Sequence, residues 1–366
     1  MQKTFVKSAL ALAALAAVPA AFAQQSSVQL YGIVDAAVRH TTHEGENANS
    51  SLTKMIGGGM SQSRWGINVS EDLGGGLKAI ANLENRFELD SGAVPAGIPY
   101  FQQSWLGLQG SAGRLTMGRQ YNVLFDLVTS TYSSFPYSPY MEAYKPEIGM
   151  ALGARANNML KYTAEFGSIR GALQYSFDEK DGNPTNARTA GGYLRYSANG
   201  ISTGLGFQNY QLPQGAKIDA WTVGGSYRMN ALYLNLGYGQ NELKGTPGPV
   251  DSAVIQSMWS GDVNGGFSRG GATKRQMAKI GFGYQFTPQI NAGVHYYHAK
   301  QSGSLRPDDN GRANFLVAVA DYAFSKRTDA YFGVDHTKIK GGQAIALGPN
   351  GARSRTGITA GLRHRF

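Results

Sequence analysis

Ile169-Arg170-Gly171-Ala172-Leu173-Gln174-Tyr175-Ser176-Phe177 places Ile, Gly, Leu, Tyr and Phe on one face of an extended chain and Arg, Ala, Gln and Ser on the other. A period of two belongs to a β-strand, whose side chains alternate between faces. The pattern recurs in Gln276 to Phe286, where Ala278, Ile280, Phe282, Tyr284 and Phe286 alternate with Lys279, Gly281, Gly283 and Gln285. It recurs again where Leu232, Leu234, Leu236 and Tyr238 interleave with Tyr233, Asn235, Gly237 and Gly239. One face is apolar and the other is polar or glycine, while helical patterning is almost absent after the first two dozen residues.

Working outward on this period gives sixteen strands, near 28–40, 60–71, 76–89, 100–110, 113–121, 157–166, 169–178, 188–199, 200–210, 218–229, 231–242, 274–286, 289–300, 311–324, 327–340 and 354–366. The connections alternate in length. Short turns fall at Asp72 to Gly75, Gly110 to Gly113, Gly167-Ser168, Asn199-Gly200, Asn230, Thr287-Pro288 and Ser325-Lys326, built from residues that tolerate a positive φ or fix it. Between them lie the longer segments 41–59, 122–156, 243–273 and 341–353. An even strand number, short turns at one end, long loops at the other and both termini on the short side predict an all-β, 16-stranded antiparallel transmembrane barrel.

Composition narrows the field. The 366 residues include 49 Gly and no Cys, and only 16% are charged. The absence of Cys excludes a disulfide framework, Cys-zinc sites, thiol chemistry and lipid attachment at an N-terminal Cys. A β-sandwich or propeller would also alternate, but its second face meets water and would be rich in Lys and Glu. Here that face carries Gly, Ser, Asn, Gln and Tyr. Residues 1–23 read as an export signal: Lys3 and Lys7 precede an apolar run from Ser8 to Val18, and Ala21-Phe22-Ala23 forms a small-x-small cleavage site. The barrel domain is then 24–366, which is 366 − 23 = 343 residues with a formal charge of +10 − 2 = +8.

The chain ends Ile358-Thr359-Ala360-Gly361-Leu362-Arg363-His364-Arg365-Phe366, an amphipathic strand closed by a terminal aromatic. Together with Ser27 to Asp35, Ser63-Arg64-Trp65-Gly66 followed by Glu71 to Ala79, Gly118-Arg119-Gln120 and Tyr322 to Thr328, it resembles the Gram-negative general porins, above all those of β-proteobacteria and neisseriae. That resemblance covers almost the whole exported chain. It implies a homotrimer in the outer membrane, in contact with lipid and lipopolysaccharide, with Phe366 as the signal read by the barrel-assembly machinery. It also implies a water-filled pore narrowed by the third external loop, which folds inward; the corresponding segment is Asn122 to Ala154. A loop of that length in a compact domain is usually functional. Its acids are Asp126, Glu142 and Glu147, and Pro146-Glu147-Ile148-Gly149 only partly echoes the motif of the enterobacterial relatives.

Parity sorts the wall. With Leu30, Val34 and Val38 toward lipid, Tyr31, Asp35 and Arg39 face inward; with Trp65, Ile67 and Val69 outward, Arg64 faces inward. The same rule turns Lys78, Glu84, Arg86 and Lys161 to the lumen. A lipid-facing Arg at the midplane would cost about 2–4 kcal/mol, which favours the same assignment. Arg119 breaks the rule, because alternation from Leu115 and Met117 puts it outside; a bulge or strand end near it would reconcile the two. The resemblance places Arg119 and Arg155 at the constriction wall with Arg64. An excess of basic wall residues suggests a lumen that concentrates small anions.

Chemistry fares poorly on this sequence. His295 and His298 fall on opposite faces of one strand, which is no metal site, and no Gly-x-Ser-x-Gly, His-Glu-x-x-His or Walker element occurs. No cofactor, metal or catalytic residue is expected, and scattered Lys and Arg without a run give no nucleic-acid partner. The expected function is passive passage of small ions and hydrophilic solutes with weak anion preference. The alternative is a substrate-specific channel for sugars or phosphate, in which a stacked aromatic ladder or a dense Lys/Arg ring would bind solute; Tyr31, Tyr193, Tyr233 and Tyr297 are inward by parity but are scattered along the chain and form no visible track.

Overall fold

The computed structural model describes residues 26–95, 98–134, 153–178, 188–260, 272–304, 310–341 and 350–366. The expected export signal, residues 1–23, lies outside them. Strands follow one another as β1 (Ser27–Thr41), β2 (Leu52–Ile56), β3 (Arg64–Gly74), β4 (Leu77–Arg86), β5 (Phe101–Gly110), β6 (Gly113–Tyr121), β7 (Arg155–Phe166), β8 (Ile169–Ser176) and β9 (Arg188–Ala198). They continue as β10 (Ile201–Gln211), β11 (Lys217–Met229), β12 (Leu232–Lys244), β13 (Lys274–Gln285), β14 (Ile290–Ser302), β15 (Gly311–Ala323), β16 (Thr328–Gly341) and β17 (Ser354–Arg365). Two helices, α1 (Val123–Thr131) and α2 (Pro249–Ser260), sit in the long connections after β6 and β12.

Each strand from β3 onward pairs antiparallel with the next, and β17 pairs with β1 to close the wall. Seventeen segments fill sixteen positions, because β2 and β3 share the free edge of β1: β3 covers Ser27 to Ile33 and β2 covers Ala37 to Thr41. The strand expected near 60–71 therefore begins at Arg64, and its upper half is a separate segment inside the expected loop 41–59. Asp35 spans the break. Its carboxylate accepts from the backbone amides of Gly59, Met60 and Ser61 at 3.0, 3.1 and 2.7 Å and from the Tyr331 hydroxyl at 2.6 Å. The Ser63 hydroxyl accepts from the Asp35 amide and donates to the Asp35 carbonyl, so the backbone groups that lack a ladder partner are satisfied by a side chain.

Short turns use the expected residues: Asn199 and Gly200 adopt φ of 51° and 78°, the two left-handed positions of a type I′ hairpin. Alternation is expressed as expected. Leu173 and Leu236 are 66% and 60% exposed on the outer face, while their neighbours Gln174 and Asn235 are 5% and 2% exposed inside. Edge-to-face ring pairs mark both rims of the outer surface, Tyr175–Phe177 at the loop end and Tyr284–Phe286 and Tyr322–Phe324 at the turn end. These are the interfacial girdles of a membrane barrel. No helix among the described residues is long and apolar enough to cross a membrane, so the crossing is made by strands.

The C-terminal residue is part of the closure. Phe366 and Gly32 exchange backbone hydrogen bonds of 3.0 and 3.1 Å, and a Cβ on Gly32 would lie 2.2 Å from the Phe366 ring. The missing side chain at Gly32 thus leaves room for the ring at the seam. Gly32→Val should displace that ring and lower the yield of heat-modifiable, SDS-resistant folded protein about as much as deletion of Phe366. Wild-type yields from both variants would show that the ring contributes nothing to closure.

Candidate functional site

The inner wall of β3, β4 and β7 carries an unbalanced group of charges. Arg64 and Arg86 are opposite each other in register, and Glu84 shares their face two residues before Arg86. The Glu84 carboxylate lies 3.7 Å from Arg64 Nε, 3.8 Å from Arg86 Nε and 3.8 Å from Arg155 Nη2. Tyr31 donates to it from 3.2 Å. Among the described residues, three guanidiniums on one carboxylate leave an excess of two positive charges. Like charges opposed across a strand pair are destabilising by themselves, so the group resembles a site kept for its field.

Among the described residues, Arg86 and Arg155 also donate hydrogen bonds to neutral groups. Arg155 and Arg86 both donate to the Tyr121 hydroxyl, at 2.7 and 3.2 Å, and Arg86 also donates to Gln62 Oε1 at 2.7 Å. The Arg155 guanidinium lies 4.3 Å over the Tyr121 ring. Arg64 is the member most open to lumenal water, with its side chain 26% exposed against 4% for Arg155.

Tyr121 also stacks on Phe125 at 4.6 Å, which joins the cluster to α1. Asn122 caps that helix, its side chain accepting from the Phe125 amide at 2.8 Å. Val123, Leu124, Leu127 and Val128 are buried against the inner wall of β8 to β11. The seat is cut from glycine: a Cβ at Gly204 would lie 2.6 Å from Leu127, and one at Gly224 or Gly237 would lie 2.6 Å from the Tyr132 ring. Beyond the helix, Tyr132 bonds Thr222, Tyr233 donates to the Ser133 carbonyl, and Tyr297 and Lys279 both donate to Ser134 Oγ. Residues 122–134 therefore run along the inner face of the wall. On the loop side, Val254 and Ile255 of α2 join Leu124, Tyr210 and Ile218 in one apolar cluster.

The remaining candidates occupy distinct places. Asp126, on α1, pairs with Lys161 at 2.6 Å, so this expected loop acid and this expected wall cation fasten the helix to β7. Glu142 and Glu147 lie outside the described residues. Arg39 is closed off by a two-pronged bond to Asp335 of 2.7 and 3.1 Å and a third to Thr359. Thr116 and Gln120 share a hydrogen bond on the buried face of β6, which leaves Arg119 on the Met117 side, half-buried and bonded to Asn157 at 2.6 Å. An irregular register does occur there, opposite Asn157 and Asn158, and Asn158 has a φ of 52°. Of the inward tyrosines, Tyr193, Tyr233 and Tyr297 are buried under the loop or bonded to it, and Tyr31 serves Glu84. His295 is fully buried and faces Asn235, and no group of metal-ligating side chains occurs among the described residues. Parity reasoning placed Glu84 inside but gave no sign that three arginines meet there. Tyr121 and Gln62 were missed, since a strand-end Tyr and a loop Gln carry no distinguishing pattern.

Comparison with known proteins agrees with this architecture. The chain is 29% identical to outer membrane porin protein 32 of Delftia acidovorans over 98% of its own length and 99% of that protein. It is 26% identical to a major outer membrane protein P.IB of Neisseria meningitidis over 99% of the chain and all of that protein. Among solved structures, the anion-selective porin from Comamonas acidovorans superposes with a TM-score of 0.72 at 26% identity, over 93% of this chain and 100% of that one. The profile described as Gram-negative porin matches residues 11–342. A closed sixteen-position barrel with aromatic rims, ending in a C-terminal Phe and matching that profile along most of its length, belongs to the Gram-negative porin family of outer-membrane proteins.

Proposed function

We propose that this porin is a general diffusion channel for small hydrophilic solutes, weakly selective for anions and filtered at the Arg64–Arg86–Arg155 wall. The observation that carries the reading is the charge imbalance at Glu84, where three cations meet one carboxylate on the inner wall. Fixed charges act on an ion at close range in a narrow, poorly polarisable passage, where salt screens them least. No bond is made or broken in such a passage, and the reading assigns no enzymatic step. The inner-face seat of residues 122–134 supports a loop that narrows the pore. A relative in solved structures, OmpT of Vibrio cholerae, is described in a trimer form, and a homotrimer is the assembly proposed for this chain. The neighbour from Comamonas is described as anion-selective, in the sense the arginine cluster favours.

A sugar-type channel would need aromatic faces open along the path. Tyr193, Tyr233 and Tyr297 hold the loop in place, which weighs against that second reading.

Two outcomes follow. Arg64→Glu with Arg155→Glu reverses two wall charges and should shift the zero-current potential in a KCl gradient toward cation preference, most strongly below about 0.1 M salt, where the Debye length exceeds about 10 Å. Reversing exposed Lys326 in a short turn should shift it far less. Unchanged ion preference in an assembled double variant would remove these arginines from the filter. Tyr132→Ala removes a buried aromatic from its glycine seat, a change that in protein cores costs about 3–5 kcal/mol. The loop should loosen, giving a larger and noisier single-channel current; wild-type conductance and noise would place the loop outside the permeation path.

A further inference from the structure

Helix α1 rests on the wall, but it is also roofed, and the roof comes from two other connections at the loop end of the barrel. Residues 212–216, between β10 and β11, contribute Leu212 and Ala216, and α2 contributes Val254 and Ile255, to the apolar cluster that holds Leu124. Phe125 packs against the same cluster. Leu124 has no exposed surface. Beneath it the floor is glycine: a Cβ at Gly206 would lie 3.0 Å from both Leu124 and Leu127. A floor without side chains offers α1 contact area but nothing that interlocks with it, so the roof is what opposes its lifting into the lumen.

The two roof pieces are fastened to each other in both directions. Helix α2 starts at Pro249, which has no amide to satisfy, after Gly248, which has no side chain to cap with. Gln214 supplies the cap from the other connection. Its Oε1 accepts from the Val250 and Asp251 amides at 2.9 and 3.4 Å, and a Cβ on Gly248 would collide with it. Asp251 returns the contact: its carboxylate, with no exposed surface, accepts from the Gln214 and Ala216 amides at 2.7 and 3.2 Å. Hydrogen bonds to a carboxylate are roughly twice as strong as those between neutral groups, so Asp251 is the stronger half of the pair. The first turn of α2 and the tight connection at 212–216 each satisfy backbone donors of the other.

Phe125 carries this arrangement to the charged wall, because it stacks on Tyr121, whose hydroxyl accepts from Arg86 and Arg155. We infer that Asp251 and Gln214 are positioning residues for the constriction: their latch holds the roof over Leu124 and so sets how closely α1 and Tyr121 lie against the wall. A connection more than a hundred residues further along the chain thereby controls the width of the passage. Such control rests on the reading of residues 122–134 as the narrowing loop, and it gives that loop two states, latched and lifted. Coupling of this kind needs an element with two discrete arrangements that both ends bias.

The test is single-channel recording of the assembled porin in KCl. Asp251→Ala should add a second, larger current level, with its occupancy raised about tenfold or more over wild type, the change that loss of a charge-assisted hydrogen bond brings to an equilibrium. Gly248→Ala, which expels Gln214 Oε1, should act in the same direction. Asp251→Asn keeps one acceptor and should fall between Asp251→Ala and wild type. Ser252→Ala should behave as wild type, since that side chain is exposed and its hydroxyl bonds to the Gly248 carbonyl of its own turn. Val254→Ser with Ile255→Ser leaves the latch and strips the roof of its apolar contact, so it provides a second measure if Asp251→Ala fails to assemble; it too should populate the larger level. Leu124→Ala separates positioning from simple obstruction of the mouth: adding Asp251→Ala to it should change little further, because both act through one contact. A single wild-type level in Asp251→Ala and in the Val254–Ile255 variant, or full additivity with Leu124→Ala, would overturn the latch. Wild-type current in Tyr132→Ala would remove the narrowing loop and the latch with it, whereas a widened current in Tyr132→Ala beside unchanged latch variants removes the latch alone.

Discussion

In hydrocarbon every backbone N–H and C=O must find a partner within the protein, and the closed ladder is the only way a chain of strands achieves this. The hydrogen bonds between β1 and β17 complete that ladder, from Ile33–Arg365 to Thr41–Gly357. The seam extends to the last residue, where Phe366 bonds back to Gly32. Where the partner of β1 changes from β3 to β2, the ladder is interrupted and is repaired by side chains. Asp35 takes three amides and a phenol, and Ser63 takes both polar groups of the Asp35 backbone. A carboxylate with four donors is a rigid fixture, and it is placed where the wall would otherwise be open.

Once the wall is closed, alternation divides side chains into two populations with different solvents, and the inner one is free to be irregular. Glycines that would weaken an ordinary sheet become the floor on which α1 and Tyr132 rest. The tyrosines between them hold the far side of the same segment. The loop therefore depends on the wall twice, through missing side chains and through long polar ones. This also explains why the inner face is poor in charge along β10 to β12: a seat for an apolar helix cannot carry solvated Lys or Glu without leaving them buried and unpaired.

Much of this was legible in the sequence, because a period of two needs no tertiary information. The strands of the described wall, the inward placement of Arg64, Glu84, Arg86 and Lys161, and the meaning of Gly237-Tyr238-Gly239 as small inner positions all follow from parity. What escaped depends on distance in space. Arg39 and Asp335 are far apart in sequence, yet barrel closure brings them together as a neutral pair. Arg155 on β7 reaches Glu84 on β4 although β5 and β6 lie between them in the wall. The segment 52–56 looked like loop because five residues are too few to establish a period against a neighbouring turn. The role of Tyr121 was invisible for a similar reason, since a strand-end aromatic has no parity partner beyond it.

Among the described residues, the arginines of the inner wall differ in how many acids share them, and this gives the lumen its direction. On β1, β15, β16 and β17, Arg39 is matched by Asp335, and Arg363 and Arg365 by Asp321 and Asp329, with separations of 2.5–3.3 Å. On β3, β4 and β7 three arginines share one carboxylate at 3.7–3.8 Å. A bonded pair presents a short-range dipole to a passing ion, whereas an excess charge presents a field that decays slowly in a passage with poorly polarisable walls. Both kinds of arginine count equally in the net charge, so composition alone overstates the selectivity that the wall can exert. The field that matters comes from the group in which, among the described residues, three arginines share one acid, and that group lies on one side of the lumen, beside the root of the loop at Tyr121 and Asn122.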